Sequence, residues 1–208
     1  MPSDPVTWTA LKATLANWLN RDDLSTTEIP EAIALAERRF QRTLFTPDRE
    51  AEATLAAAAE AVTLPADLWG IRAAYVDADP KVVLEPMSLN QLRETWPAAA
   101  AGKPQNYTIR GGIMLLGPAP DSSCSIRLTY IQTIPALGAS QATNWLLTAH
   151  PDAYLHGSLA ELHLLLADEP RAALHTARFE EIAAEINRVG RARSHGGAPQ
   201  RIRAPQVV

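Results

Sequence analysis

The hydrophobic period changes twice along this chain of 208 residues, and that change limits the folds open to it. Apolar residues recur at helical spacing over 8–19 and 29–44, and again over 155–166 and 174–189. Between them, residues 51–135 contain short alternating segments interrupted by prolines, which are typical of antiparallel strands and turns. The sequence therefore predicts two helices, a β-rich region and two further helices.

The link between the first two helices is short, which favours an antiparallel hairpin. We predict an α+β fold in which the N-terminal and C-terminal helix pairs form an antiparallel four-helix bundle. An antiparallel β lobe is inserted between the pairs, and an extended C-terminal tail follows them. The predicted boundaries are 1–50 for the N-terminal helix hairpin, 51–135 for the lobe, 136–190 for the C-terminal helix pair and 191–208 for the tail.

Local signals refine this outline. The predicted elements of the lobe are strands near 60–64, 70–76 and 81–85 and within 125–135, a helix at 89–96 and a two-residue hairpin turn at Gly111-Gly112. In the last helix, Leu174 and Val189 are expected to face inward, and Gly190 is expected to end the helix.

Composition excludes several classes of protein. The formal net charge of -4 gives no general case for nucleic-acid binding, and a single cysteine, Cys124, excludes an internal disulfide. No apolar run reaches the roughly 18 residues that a membrane span needs, and the N-terminus lacks the pattern of a signal peptide. We expect a soluble protein that stays in the compartment where it is made.

The charge is unevenly distributed. Residues 188–208 contain five arginines and no acid, so the residues before them carry a net charge of -9. Such a basic end on an acidic body is typical of an interaction element. The arginines alternate with proline and isoleucine, so the segment could lie extended along a partner. An acidic neighbour of the same kind and a nucleic acid both remain open as partners.

Three of the five histidines lie close together in 144–166. Asp152 and His156 have the i, i+4 spacing with which one helix face can chelate a metal. His163 is about 10 Å further along a helix, too far to share the same ion easily. On such a helix the side chains of Asp152, His156 and His163 lie beside the leucine stripe. We therefore favour a helix boundary or a subunit contact for His156 and His163.

Other chemical signatures are weak. The chain has no HExxH, CxxC or GxSxG motif and no glycine-rich phosphate loop. Cys124 has no histidine near it in sequence, and a structural thiol is the favoured interpretation. The adjacent carboxylates, such as Glu180-Glu181, fall at helix ends or on polar faces. We predict no catalytic residue, no metal site and no cofactor.

Three stretches in a fixed order carry a resemblance: WLNRDDLSTTEIPEAIALAERRFQRTL (18–44), TLPADLWGIRAAYV (63–76) and TNWLLTAHPDAYLHGSLAEL (143–162). Together with GPAPD at 117–121, they resemble the head–tail adaptor proteins of tailed bacteriophages. These include the tail tubular protein A-like connectors and the neck adaptors that dock on the portal. The resemblance covers residues 8–203.

The resemblance implies a structural virion protein of the neck, present in the host cytoplasm before assembly. It implies a ring, dodecameric in that family, that lies beneath the portal, extends the DNA channel and offers a platform to the next tail component. The implied partners are the portal ring, other copies of the chain, a downstream tail or nozzle protein, and packaged DNA that passes without specific binding. The implied portal contacts are Arg191, Arg193, Arg201, Ile202 and Arg203.

Two other functions stay open. A DNA-binding module would act through the basic tail, and its affinity would fall steeply with salt. A tail-associated hydrolase would need a pair of carboxylates in a cleft, and the sequence shows no such pair.

Overall fold

The computed structural model of the protein describes residues 5–21, 23–24, 27–97 and 100–194. These residues divide into two compact units. The helical unit consists of the described parts of Met1–Asp48 and Ile134–Val208, and the β unit is formed by Arg49–Thr133. The α-helices are α1 (Trp8–Leu19), α2 (Glu28–Thr43), α3 (Leu89–Thr95), α4 (Trp145–Ala149), α5 (Pro151–Leu165) and α6 (Glu169–Ser194).

The fold is α+β, but the predicted four-helix bundle is wrong. Six α-helices occur within the described ranges, and five of them belong to the helical unit. Helix α5 packs against α1, α2, α4 and α6 and has buried residues on several sides, among them Tyr154, Gly157 and Ala160. A helix covered in this way is the centre of its unit and not one corner of a bundle.

Helix α4 was not expected as a separate element. It ends at Ala149 because Pro151 disfavours the helical conformation at the residue before it, and His150 adopts φ -138° and ψ 64°. The Asn144 side chain accepts a hydrogen bond from the Leu147 amide at 2.8 Å and caps the helix at its start. A separate short helix therefore precedes α5.

The core of the helical unit is formed by residues from all five of its helices. Its fully buried large side chains include Leu11, Leu15, Ile29, Ile33, Phe40, Leu147, Tyr154 and Phe179. The Phe40 ring lies at its centre, 4.8 Å from the Tyr154 ring and 5.3 Å from the Phe179 ring. Gly157 leaves room for this ring, since a Cβ there would lie 2.8 Å from Phe40 Cε1.

Helix α6 differs from its prediction in two ways. It continues through Gly190 to Ser194, so residues 191–194 are helical and do not begin an extended tail. Leu174 and Val189, expected to face inward, are 58% and 42% exposed. The buried positions include Ala172, His175, Phe179, Ala183, Ile186 and Gly190.

The β unit is not the antiparallel lobe that the sequence predicts, because within the described ranges one of its sheets is antiparallel, one is mixed and one is a parallel pair. The strands are β1 (Glu50–Ala57), β2 (Ala61–Thr63), β3 (Leu68–Val76), β4 (Val82–Val83), β5 (Glu85–Pro86), β6 (Ala101–Gly102), β7 (Asn106–Arg110), β8 (Ile113–Gly117), β9 (Ala119–Pro120) and β10 (Cys124–Gln132). They form sheets of order β1-β10-β3-β4, β2-β8-β7-β5 and β6-β9. The β5–β7 and β6–β9 pairs are parallel, and the other pairs are antiparallel.

The core of the β unit comes from the inward faces of its strands. Its buried apolar residues include Val62, Val76, Leu84, Met114, Leu116, Ile126 and Leu128. Helix α3 adds Leu92, which is buried, and Trp96 follows it with its indole N–H donating to the Asn106 side chain at 3.0 Å. None of the helices within the described ranges is both long and apolar enough to cross a membrane.

Candidate functional site

Three histidines stack in a column between α5 and α6. The rings of His156 and His175 are 5.2 Å apart, and the rings of His175 and His163 are 5.3 Å apart and nearly parallel. The Nδ1 atoms of His156 and His175 lie 3.0 Å from each other. Trp18 of α1 meets His156 edge-on at 6.3 Å, and its side chain is 57% exposed. We call His156, His163 and His175 the histidine column.

His175, the central member, was missed by the sequence reasoning. It lies on a different helix from the other two, so spacing within 144–166 contains no sign of it. The sequence does place His175 four residues before Phe179, a spacing that puts two residues on the same face of a helix. In the structure both side chains lie on the buried stripe of α6. The structure thus places His156 and His163 at the boundary between two helices.

The surroundings of the histidine column disfavour protonation of its rings. Burial lowers the pKa of each ring, and nearby groups lower it further: Arg178 for His156, Arg171 for His163, and His156, His163 and Arg171 for His175. Asp152 and Asp168 act in the opposite direction on His156 and His163. The Asp168 carboxylate is 3.7 Å from His163 Nδ1 and 3.4 Å from the Arg171 guanidinium.

The stacked rings of the histidine column pack α5 against α6. The Nδ1 atoms of His156 and His175 face each other, and Asp152 accepts a hydrogen bond from the Ala153 amide at 3.0 Å. Among the residues that the structure describes, no three His, Cys, Asp or Glu side chains are placed to hold a metal ion.

Acidification is expected to destabilise the protein through the histidine column. The folded-state pKa values are lowered, so the unfolded chain binds more protons as the pH falls below the ordinary histidine value of about 6.5. The free energy of unfolding should fall by up to about 1.4 kcal/mol per pH unit for each such histidine. Urea unfolding at pH 7.5, 6.5 and 5.5, values that bracket about one unit either side of that pKa, measures this slope.

The matched variants are His175→Phe and His150→Phe. The first keeps a ring between His156 and His163 but removes a titrating group, so the slope with pH should decrease. The second changes a histidine outside the column, and a decrease as large as that of His175→Phe would contradict a specific role of the column. An unchanged slope in His175→Phe would contradict the assignment.

A buried polar network joins the segment before α4 to the helices. The Glu37 carboxylate accepts hydrogen bonds from the Leu137 amide at 2.8 Å and from the Tyr154 hydroxyl at 3.0 Å. The Asn144 amide donates to the Tyr154 hydroxyl and to the Pro135 carbonyl, each at 2.7 Å. Burial raises the pKa of Glu37, while its two donors act in the opposite direction. This network fixes residues 135–144 on α2 and α5.

The tail arginines divide into two groups. Arg191 and Arg193 are exposed on the last turn of α6, where positive charge is favourable beside the helix C-terminus. The Arg193 guanidinium lies 3.0 Å from the Asp48 carboxylate. Arg201, Ile202 and Arg203 lie outside the described residues.

Cys124 is not an activated nucleophile. It is half-buried at the start of β10, and burial together with the nearby Asp121 raises the pKa of its thiol.

The side chains described above pack helices and form a charged helix end, which is typical of a structural binding protein. The chain matches the model of the SU10 adaptor protein family over residues 6–203. That match covers nearly the whole chain, so the protein belongs to this family of phage head–tail adaptors, and the resemblance is confirmed. Its role is therefore that of a structural component of a phage particle. No protein of curated function matches the sequence.

Proposed function

We propose that the protein assembles into a ring beneath the portal of a tailed phage, where it extends the DNA channel and provides the platform for the next tail component. Membership of the adaptor family over residues 6–203 is the observation that carries this proposal. A dodecameric ring is the expected form. Its partners are the portal ring, neighbouring copies of the chain and a downstream tail or nozzle protein.

The surface of the helical unit suits ring formation. A ring requires two different faces of each subunit to meet, and such contacts need exposed apolar area. Several large apolar side chains of this unit are exposed: Trp18, Leu35, Leu164, Leu165, Leu174 and Val189. They are distributed over α1, α2, α5 and α6, so they offer more than one face for neighbouring copies.

The basic end of the chain is the proposed portal contact. Arg191 and Arg193 on α6 and Arg201, Ile202 and Arg203 beyond it would meet acidic and apolar groups of the portal. Arginine suits this role because its planar guanidinium binds carboxylates in a bidentate way.

Native mass spectrometry of the protein with the portal ring tests the proposal. We expect one copy to bind per portal subunit, and we expect a chain ending at Ser194, which keeps the whole of α6, to lose at least tenfold in affinity. The variant Arg201→Gln/Arg203→Gln should weaken binding in the same direction. Arg171→Gln/Arg178→Gln is the matched control, because it removes two exposed arginines from the body of α6.

Two outcomes would contradict the proposal. The first is the absence of any complex with the portal by the full-length chain. The second is tail-dependent binding to duplex DNA that falls steeply with salt, which would favour a DNA-binding module instead.

A further inference from the structure

A groove of about 270 Å³ lies beside the C-terminal half of α6, between that helix, the start of α5 and the residue that follows Pro47. We call it the acidic groove. Its apolar lining consists of Ile182, Ile186, Val189 and Gly190. Its polar lining consists of Asp48, His150, Asp152, Glu185 and Arg193.

The close approach of α6 to the chain before it shapes this groove. A Cβ on Gly190 would lie 3.1 Å from Pro47 Cδ and 3.3 Å from Thr46 Cα, so a side chain there would force these neighbours to shift. This contact places Asp48 within 3.0 Å of Arg193, and both residues line the groove. The groove is therefore built by packing within the helical unit.

The acidic groove holds more negative than positive charge. Of its three carboxylates, Asp48 is paired with Arg193, and Glu185 lies 3.7 Å from Arg188 with both side chains well exposed. Asp152 has no lysine or arginine partner among the ion pairs of the described ranges. A ligand that combines cationic groups with an aliphatic group would match both the carboxylates and the isoleucines.

The end of the chain has that composition. Residues 195–208, HGGAPQRIRAPQVV, contain no acid and place Ile202 between Arg201 and Arg203. Arg193, which lines the groove, is one residue before the last described residue, Ser194. The eight residues from Ser194 to Ile202 can span up to about 26 Å, and Gly196-Gly197 permits a reversal of direction.

We propose that Arg201–Arg203 of the same chain binds in the acidic groove of the free protein, with Ile202 against the apolar lining and the arginines against Asp152 and Glu185. The same chain is the favoured source, because a short linker gives an effective concentration of about a millimolar. The binding itself is independent of the adaptor role. If the segment occupies the groove, portal binding must displace it, and this consequence rests on the proposed function.

Disulfide trapping in the full-length protein tests the proposal without a portal. In a Cys124→Ser background, Val189→Cys places a thiol in the groove and Ile202→Cys places one on the segment. Ala184→Cys with Ile202→Cys is the matched control, since Ala184 is exposed on the same helix but does not line the groove. Oxidised glutathione supplies the oxidant, and intact mass with non-reducing electrophoresis separates monomeric from dimeric products.

We expect the 189–202 disulfide to form within the monomer at least tenfold faster than the 184–202 disulfide, at a rate independent of protein concentration. Asp152→Asn/Glu185→Gln should slow the 189–202 reaction several-fold, and so should high salt. Equal rates for the two cysteine pairs would overturn the proposal. Dimers as the main product would overturn the same-chain assignment and identify a second copy as the source of the segment.

Discussion

Gly157→Val is expected to destabilise the helical unit by about 3 kcal/mol or more. A Cβ at this position would lie 2.8 Å from Phe40 Cε1 and 2.9 Å from Phe40 Cζ, and valine adds two methyl groups beyond it. The Phe40 ring has little room to move, because it is fully buried between Tyr154 and Phe179. Urea unfolding followed by far-UV circular dichroism measures the loss.

The control for this prediction is Gly138→Ala. Gly138 belongs to the helical unit and does not adopt a positive φ, and a Cβ added to it would have no heavy atom within 4 Å beyond its chain neighbours. Its unfolding midpoint should change little or rise slightly, because alanine restricts the unfolded chain. In the Gly157→Val background, Phe40→Leu should recover part of the stability by making room for the valine. A Gly157→Val protein as stable as the parent would contradict this account of the core.

Glu37→Ala is expected to destabilise the helical unit by about 2–4 kcal/mol. The substitution leaves the buried Leu137 amide and the Tyr154 hydroxyl without their acceptor, and each such loss costs about 1–3 kcal/mol. Glu37→Gln keeps an acceptor oxygen at the same place and should lose much less. Arg38→Ala, at an exposed position of the same helix, should stay within about 0.5 kcal/mol of the parent.

Glu37 is also expected to make the free energy of unfolding depend on pH, and the direction of this dependence follows from its pKa. Burial raises the folded-state pKa of this carboxyl above its unfolded value, so the folded chain binds the proton more tightly. Its contribution to stability is therefore present at acid pH and is lost as the pH rises through the folded pKa. Glu37→Gln should remove this dependence and leave that of the histidine column, which has the opposite sign. Identical pH profiles for the parent protein and Glu37→Gln would contradict the raised pKa of Glu37.

Some elements are predictable because a few neighbouring residues determine them. Gly111 and Gly112 adopt φ values of 58° and 78° between β7 and β8, as a two-residue hairpin turn requires. Helix α3 ends at Thr95, shortly before Pro97, close to the predicted 89–96. In both places the restriction is local and steric, so it can be recognised without knowledge of the rest of the fold.

Strand β1 was not predicted, because its sequence, EAEATLAA, is rich in alanine and glutamate. These residues have low strand propensity. The strand forms because it pairs along its whole length with β10, from Glu50 opposite Ile131 to Ala57 opposite Cys124. The local propensity of a segment does not indicate which distant strand it pairs with, so β1 could not be predicted from its own residues.

Long-range packing also explains two points about the helices that the sequence does not predict. The sequence predicts a helix end at Gly190, but Gly190 lies inside α6, where the absence of a side chain leaves room for Pro47 and Thr46. His175 completes the histidine column from a helix that the 144–166 pattern does not include. In each case the partner is distant in sequence, and only the folded chain brings it into contact.

The pairing of β1 with β10 has a consequence for folding. The helical unit takes residues from both sides of an insertion, residues 49–133, and closing a flexible loop of that length costs about 4 kcal/mol of chain entropy. In the folded β unit, Glu50 lies opposite Ile131, and the Arg49 guanidinium donates to the Gln132 carbonyl at 3.0 Å. Once these strands have paired, the helical segments are joined by a short tether, and most of that entropy has already been lost. Early folding of the insertion would therefore speed the assembly of the helices on either side of it.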